Sequence, residues 1–514
     1  MIFSRRALLT GVTALAAAWF LLPKEVAAQV CVTSGGSFGP PTLYTCTLPA
    51  GSFTEPISFQ APGSGDTVPL VLNSQLAITV TASQGNPLTI EAQAGGEQGA
   101  ALGMTINNQG ALTVNSGSLS GNLFGMYVQQ QGALGGNATG GSSSRDSASP
   151  GGDAGLSGAP SLVITNSGVI TINNVNMGGS GAALYAQSLG GTGGAGDAFN
   201  NPIGGSGGDA AGSVIINSGA ITAIASGASG FGGIMALGQG GPSGSMSGVG
   251  GYGGASSVSN SAPVSVNWTW QGVQSSSPDY GLYGIIAQSV GANGSSSEDG
   301  GGGHGGDVTS AAVTLTQGGN VSVVTAGGAP SGTAVGTFNG AGVAAVVIGG
   351  NGGGGQDSKT NVRGGAAGTS GATAAQITIT DASVTTQGDR LPALLAFAQA
   401  GTGGTAIGAG TAYTGGDGGN TGNSTISVTA MNNALTFSTL GSNASAIVNL
   451  LQAGAGGAGA DLNSVIGGVS GAGGAGGSSG TSTVSLLGSS SAPISVSTNG
   501  SESAGIYGAI AKSW

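Results

Sequence analysis

Valine and isoleucine alternate with threonine and serine over four to six residues, pause at Asn, Ser or Gly, and then resume. The phrase reads SLVITNSGVITINN from Ser161 and SVIINSGAITAIASG from Ser213, where Val214, Ile216, Ile221 and Ile224 punctuate polar positions. Looser copies are AAVTLTQGGNVSVVTAGG from Ala311, AAQITITDASVTTQG from Ala374 and STISVTAMNNALTFSTLG from Ser424. A period of two marks a half-buried strand, and an Asn or Gly between two such strands permits the positive φ of a tight corner. Helical periodicity nowhere outlasts a turn or two, so the expected class is all-β.

Each phrase belongs to a longer repeat. A short apolar segment, GIIAQSVG from Gly284 to Gly291, has weaker copies from Gly125, Ala183, Gly233, Leu395 and Ile447, and a last one, GAIAKSW, from Gly508. Its glutamines supply a set of repeat anchors: Gln129, Gln187, Gln239, Gln288, Gln399 and Gln452, with Lys512 in that place at the end and one copy, near Val347, lacking it. Successive copies lie 49 to 60 residues apart. The segment reads as a structural corner whose Ile and Val fill the coil, and Gln288 is expected to ladder with another coil's glutamine where register allows.

Between this segment and the next strand phrase comes a glycine-rich run, such as GTGGAGDAFNNPIGGSGGDAAG from Gly191 to Gly212. Run lengths vary while the strand phrases keep their order. A solenoid tolerates such variation, because a loop leaving one corner grows without disturbing the stack. A propeller would need regular four-strand blades. The expected architecture is therefore a right-handed parallel β-helix with long glycine-rich loops.

Composition agrees with stacked strands faced by neutral polar residues. Charged residues are 5% of the 514-residue chain, glycine supplies 110 residues, and 39% is hydrophobic. Charged residues make up roughly 25% of an ordinary soluble protein. The formal net charge is -11, with no cluster of Lys or Arg. Nucleic acid is excluded as a partner on that ground, since phosphates need cationic neutralisation.

Residues 1–28 read as a signal peptide: Arg5 and Arg6, an apolar run from Ala7 to Leu22, and small residues through Ala28. That run is shorter than the roughly 20 residues needed to span a bilayer. The SRRALL stretch also fits a twin-arginine signal, so the route is left open between that and Sec. Residues 29–124 form an expected N-terminal cap and first rungs, and 125–514 the glycine-rich repeats. Cys31 and Cys46, the only cysteines, are expected to pair as a disulfide in an exported chain. No later segment has 18 consecutive apolar residues, so no transmembrane helix is expected in the mature chain.

Candidate chemistry is sparse. GGHGGDV from Gly302 and GGSGGDA from Gly204 match the start of a calcium-binding nonapeptide, and GGDGGN from Gly415 nearly does. Calcium sites need such turns in tandem, whereas these stand about 100 residues apart, so no metal is assigned. Gly204-Ser206-Gly208 spells a nucleophile pattern without its strand-turn-helix setting, and only His304 could act as base. Glu298 and Asp299 are adjacent, with Asp279, Asp307 and Asp357 loosely flanking them, in what reads as a solvated loop. Val264, Val266, Trp268 and Trp270 share one strand face, which reads as coil packing ahead of a carbohydrate platform. No catalytic residue and no cofactor is assigned.

The strand-NSG-strand phrase, GI-x-AQS-x-G and runs of GGxGG, seen in Ile216 to Ala223, Ala183 to Gly190 and Gly284 to Gly291, resemble the glycine-rich passenger segments of bacterial autotransporters. The likeness covers about Gly125 to the end. It implies a β-helix displayed at the cell surface or released, stranded in the periplasm if unexported, acting as a non-enzymatic adhesin-like scaffold. Its partners would be a host or matrix surface, carbohydrate, or further copies of itself. The C-terminal β-barrel of that family is not in the sequence, whose last copy of the apolar segment stops at Trp514, as in a truncated passenger. The alternatives are a carbohydrate-active β-helix enzyme, which needs carboxylates converging on a groove, and a nonfunctional fragment of a longer gene.

Overall fold

In the computed structural model, residues 103–511 are described, except 116–117, 120, 138–161, 197–203, 228, 246, 272–280, 298–300, 327–337, 358–362, 372, 409–413 and 460–471. Before residue 103 only the strand segments within 30–34, 43–48, 51–53, 57–60, 70–74, 78–80 and 88–93 are described. The leader, Lys512 and the Glu298-Asp299 pair lie outside the described residues, as does Asp279.

The chain is a parallel β-helix. Each coil gives one strand to each of three long sheets, and the third sheet counts ten strands, one per coil. One coil reads Ser256–Asn260 in the first sheet, Val264–Trp270 in the second and Leu282–Val290 in the third. Within these sheets the strands pair in parallel with their equivalents in the neighbouring coils. The exception is Val30–Ser34, which lies antiparallel on Leu43–Leu48 and closes the edge of the first sheet. The sheets run across position 124 without a break. No helix occurs among the described residues, and so none long and apolar enough to cross a membrane.

Inside the coils a continuous apolar core includes Ile215, Val258, Trp268, Ile285 and Val313. Trp268 is fully buried, and its ring stacks on Phe231 in the preceding coil, with centroids 5.6 Å apart. The stripe from Val264 to Trp268 therefore faces inward, as its spacing suggests, and Trp270 meets Trp268 edge-on.

One parity differs from the sequence reading. Ser213, Ile215 and Asn217 face inward, while Val214 and Ile216 lie on the outer face. Ile221 is buried but Ile224 is exposed. Asn217 sets this parity. Its side chain belongs to a buried amide ladder, in which Asn108 donates to Asn166 at 2.6 Å, Asn166 to Asn217 at 2.6 Å and Asn217 to Asn260 at 2.7 Å. The NSG corners are thus built by amide pairing, and neither Asn166 nor Asn217 is among the residues of positive φ.

The segment read as a corner is instead a full nine-residue strand of the third sheet, Leu282–Val290. Its opening glycine has a different job from ending a turn. Pairing skips Gly233 and Gly284 in one coil contact, and Gly284 and Gly342 in the next, with the register unchanged on either side, so glycine stands over glycine where the ladder is interrupted. A Cβ on Gly284 would run into the carbonyl of Gly342 and the side chain of Val321. Past Gly284, Ile285 and Ala287 face the core, while Ile286 joins Tyr185, Ala344 and Leu395 in a second buried cluster on the other face of the sheet.

The glycine runs leave each coil after the third sheet, and their described arms are regular. Gly190 and Gly193, three apart, donate to Gln239 and Pro242 on the equivalent arm of the next coil, both at 2.9 Å. Gly205 and Gly208 on the returning arm donate back to Gly194 and Gly191. Bonds that recur every three residues in an extended segment define a threefold, polyproline-II-like helix, which has no internal hydrogen bonds and must find partners outside itself. Outgoing and returning arms interleave along the stack: Gly241 donates to Gly208, Gly251 to Gly241, Ala292 to Gly251 and Gly306 to Ala292, a path that continues to Gly477. The result is a two-layered fin of glycine helices along one edge of the rod.

Candidate functional site

The fin gathers most of the residues that could carry chemistry, because its aspartates, asparagines and single histidine sit at the third position of the glycine triplets. In each turn one N–H bonds to the same arm of the neighbouring coil and one to the opposite arm. The third points outward and needs a cap. On the outgoing arm Asn293 Oδ1 accepts the N–H of Asn351, and Asn351 Oδ1 that of Thr402, both at 2.8 Å. On the returning arm Asp209 Oδ1 accepts from Tyr252 at 2.8 Å, and Asp307 Oδ1 from Thr369 at 2.7 Å.

The Gly-Gly-Asp phrases are accordingly caps from coil to coil. Asp209 and Asp307 share one row but Tyr252 lies between them, as the bonds from Ala210 to Tyr252 and from Gly253 to Asp307 show. Asp417, in the adjoining row, accepts the N–H of Ala475 at 3.0 Å and forms an exposed ion pair with Arg363 at 2.9 Å. Among the described residues no three His, Cys, Asp or Glu side chains come together in a way that could hold a metal ion. Ser206 and His304 also lie two coils apart, with Val249 intervening, which places the imidazole beyond reach of the hydroxyl.

Outside the fin the most deeply placed acid among the described residues is Asp381, 5% exposed and in the left-handed region at φ 53°. It occupies the corner where earlier coils carry the asparagine ladder. Its carboxylate accepts from the N–H of Met431 at 2.7 Å and of Asn432 at 3.0 Å, and from the Asn432 amide at 2.8 Å. These bonds, that of the Asn432 N–H above all, hold its pKa below the ordinary carboxylate value against the opposing effect of burial. Asp389 likewise accepts the N–H of Ser442 in the next coil at 2.8 Å. Each of the five aspartates whose side chains are described thus bonds to the backbone of the following coil.

The repeat glutamines fall on two rows of the third sheet. Gln129 lies opposite Gln187, and Gln399 opposite Gln452. Gln288 faces Leu237 and Val346, and Gln239 faces Leu189 and Val290, so register permits glutamine pairs only at the two ends of the stack. The Gln187 carbonyl accepts instead from the Tyr127 hydroxyl at 3.1 Å. Cys31 and Cys46 lie directly opposite each other in the antiparallel pair that closes the first sheet.

Sequence reasoning passed over the fin, although its signal was present. Glycines at i, i+1, i+3 and i+4, as in GGTGGAG from Gly190 and GGNGGGG from Gly349, are the period of a threefold helix with two faces packed against backbone. A Cβ on Gly350 would collide with the carbonyl of Ala292, and one on Gly305 with that of Gly350, so these positions accept no other residue without displacement. No protein-family model, curated protein or solved structure matches the chain.

Proposed function

We propose that the protein is a non-enzymatic, surface-exposed or secreted rod of the autotransporter-passenger kind, whose task is mechanical: to hold an extended neutral surface away from the cell for adhesion, self-association or contact with a matrix. One observation carries the reading. Among the described residues, acids and amides that would have to converge for catalysis are spent at intervals along the stack on bonds between coils: Asn166 to Asn217, Asp307 to Thr369, Asp381 to Asn432. A molecule built this way resists bending and shear, because each coil is fixed to the next through three sheets and a glycine fin. The leader and the resemblance to passengers supply the address.

The test is to express the chain in its own leader's context in a non-adherent bacterium. Fractionation and labelling of intact cells should find it outside the inner membrane, and the cells should gain adhesion or aggregation. A chain that stays cytoplasmic, or a displayed chain that leaves adhesion unchanged, sinks the reading.

A further inference from the structure

On the outer face of the second sheet, strand register aligns Thr171, Thr222, Ser265, Ser322, Thr385 and Ser438 in six successive coils. Pairing extends the row to Thr113 before them and Ser497 after them, with no other residue type intervening. All eight side chains alternate with core-facing neighbours and point outward. None makes a hydrogen bond to the described protein. The outward hydroxyls of the first sheet, such as Ser259, Thr314 and Thr378, are likewise without one, but there Ile216 interrupts the row, and what sets the second-sheet row apart is its continuity. Nor does the fold demand hydroxyls at such a place: two residues further along, the outward positions hold Ile224, Asn267, Val324 and Gln387. No strand of the second sheet contains a charged residue.

We infer that this row is a binding surface for an uncharged polysaccharide chain lying along the rod axis. The row offers one donor and acceptor for every strand spacing, about 4.8 Å, over seven spacings or roughly 34 Å. A polymer of neutral sugars presents hydroxyls at a comparable repeat, whereas an anionic polymer would meet no cation on this face. Each contact is weak because it exchanges one water for another hydroxyl, so retention depends on many contacts held in register by a rigid frame. This deepens the adhesin-like reading and rests on it for its setting.

The experiment is retention of the purified mature chain on microcrystalline cellulose, with alginate as the anionic control. Wild type should be held on cellulose and not on alginate. The triple variant T222V/S265A/S322A should lose at least tenfold in retention with an unchanged thermal melt. A second variant, I224T/V324T, alters outward positions beside the row and should keep full retention. The proposal is overturned if wild type passes through cellulose, if the triple variant binds as well as wild type, or if both variants lose binding together. Adhesion by displayed cells without cellulose retention would overturn the array and leave the rod standing, while cellulose retention by a chain that is never exported would do the reverse.

Discussion

Asn166 donates one amide hydrogen to Gly168 O, closing its own corner at 2.9 Å, and the other to Asn217 Oδ1 in the next coil at 2.6 Å. Both Nδ2 hydrogens are thereby used, and Asn217 repeats the arrangement toward Gly219 and Asn260. The ladder stops at Asn260, whose register partner is Leu315. A leucine is thus compatible with this corner at the ladder's end but not in its middle. Asn217→Leu should leave the donor of Asn166, the acceptor of Asn260 and the carbonyl of Gly219 unpaired inside the coil, at about 1–3 kcal/mol for each group. Asn260→Leu orphans two groups, the donor of Asn217 and the carbonyl of Ala262, and should cost about two thirds as much. Urea midpoints of the two variants, compared at equal slope, check the order; an Asn260 variant as unstable as the Asn217 variant would contradict the ladder.

The fin makes a sharper prediction within a single glycine run. Gly350 and Gly354 are four residues apart, yet a Cβ on Gly350 would overlap the Ala292 carbonyl, whereas on Gly354 the nearest atoms are Ser296 Oγ and the Thr405 carbonyl oxygen, both at 3.4 Å. Gly350→Ala should destabilise by about 1–3 kcal/mol or more, since backbone on both sides must move. Gly354→Ala should fall within about 0.5 kcal/mol of wild type. Hydrogen exchange gives the local readout: only the first variant should lose protection at Gly368, whose N–H donates to the Gly350 carbonyl, and at Gly306, whose N–H donates to the Ala292 carbonyl that the new Cβ would displace.

These two cases also show what a linear reading captures. Alternation reveals that a segment is a strand and, where large side chains sit on one parity, which face is inside, as from Val264 to Trp268. It failed from Ser213 to Asn217 because both parities carry apolar residues, and the inner one was chosen by the amide of Asn217 through bonds to residues 51 and 43 positions away. The apolar segment from Gly284 was read as a structural corner, whereas it lies in a nine-residue strand in which Gly284 stands between Gly233 and Gly342 of the neighbouring coils. Glycine period three was visible but suggested slack, since the partners of each arm lie in other coils. Candidate chemistry was legible as residue types only: that Asp209, Asp307 and Asp417 cap backbone N–H groups requires knowing which coil stands above which.

At the other end of the rod, Cys31 and Cys46 are register partners in neighbouring antiparallel strands. Directly opposed residues in such a pair have Cα atoms about 4.5–5.5 Å apart, within the range a disulfide spans. The exported chain should therefore resist alkylation until it is reduced. Reduction should lower the stability of the first coil by about 3 kcal/mol, the amount the chain-entropy model gives a loop of this length. Intact-mass measurement after alkylation, with and without prior reduction, decides the matter: two modified thiols in the unreduced, exported protein would refute the pairing.

Asp381 gives the molecule a defined response to acid. Its pKa is lowered in the folded chain, first by the Asn432 N–H, so the folded state binds its proton less readily than the unfolded state. Stability from this group is then fully present above the unfolded carboxylate value, declines as pH falls below it, and is lost once pH passes through the lowered folded value. Protonation removes acceptor capacity from a corner that holds both Met431 and Asn432 of the next coil, so the loss should begin where these two coils meet. Asp381→Asn keeps one carbonyl acceptor but cannot titrate. Its melting temperature at neutral pH should lie below wild type, and the gap should close as the medium is acidified through the carboxylate range. Thermal melts from pH 7 to pH 2 on both proteins measure this directly, and a gap that stays constant would remove Asp381 as the source of the acid response.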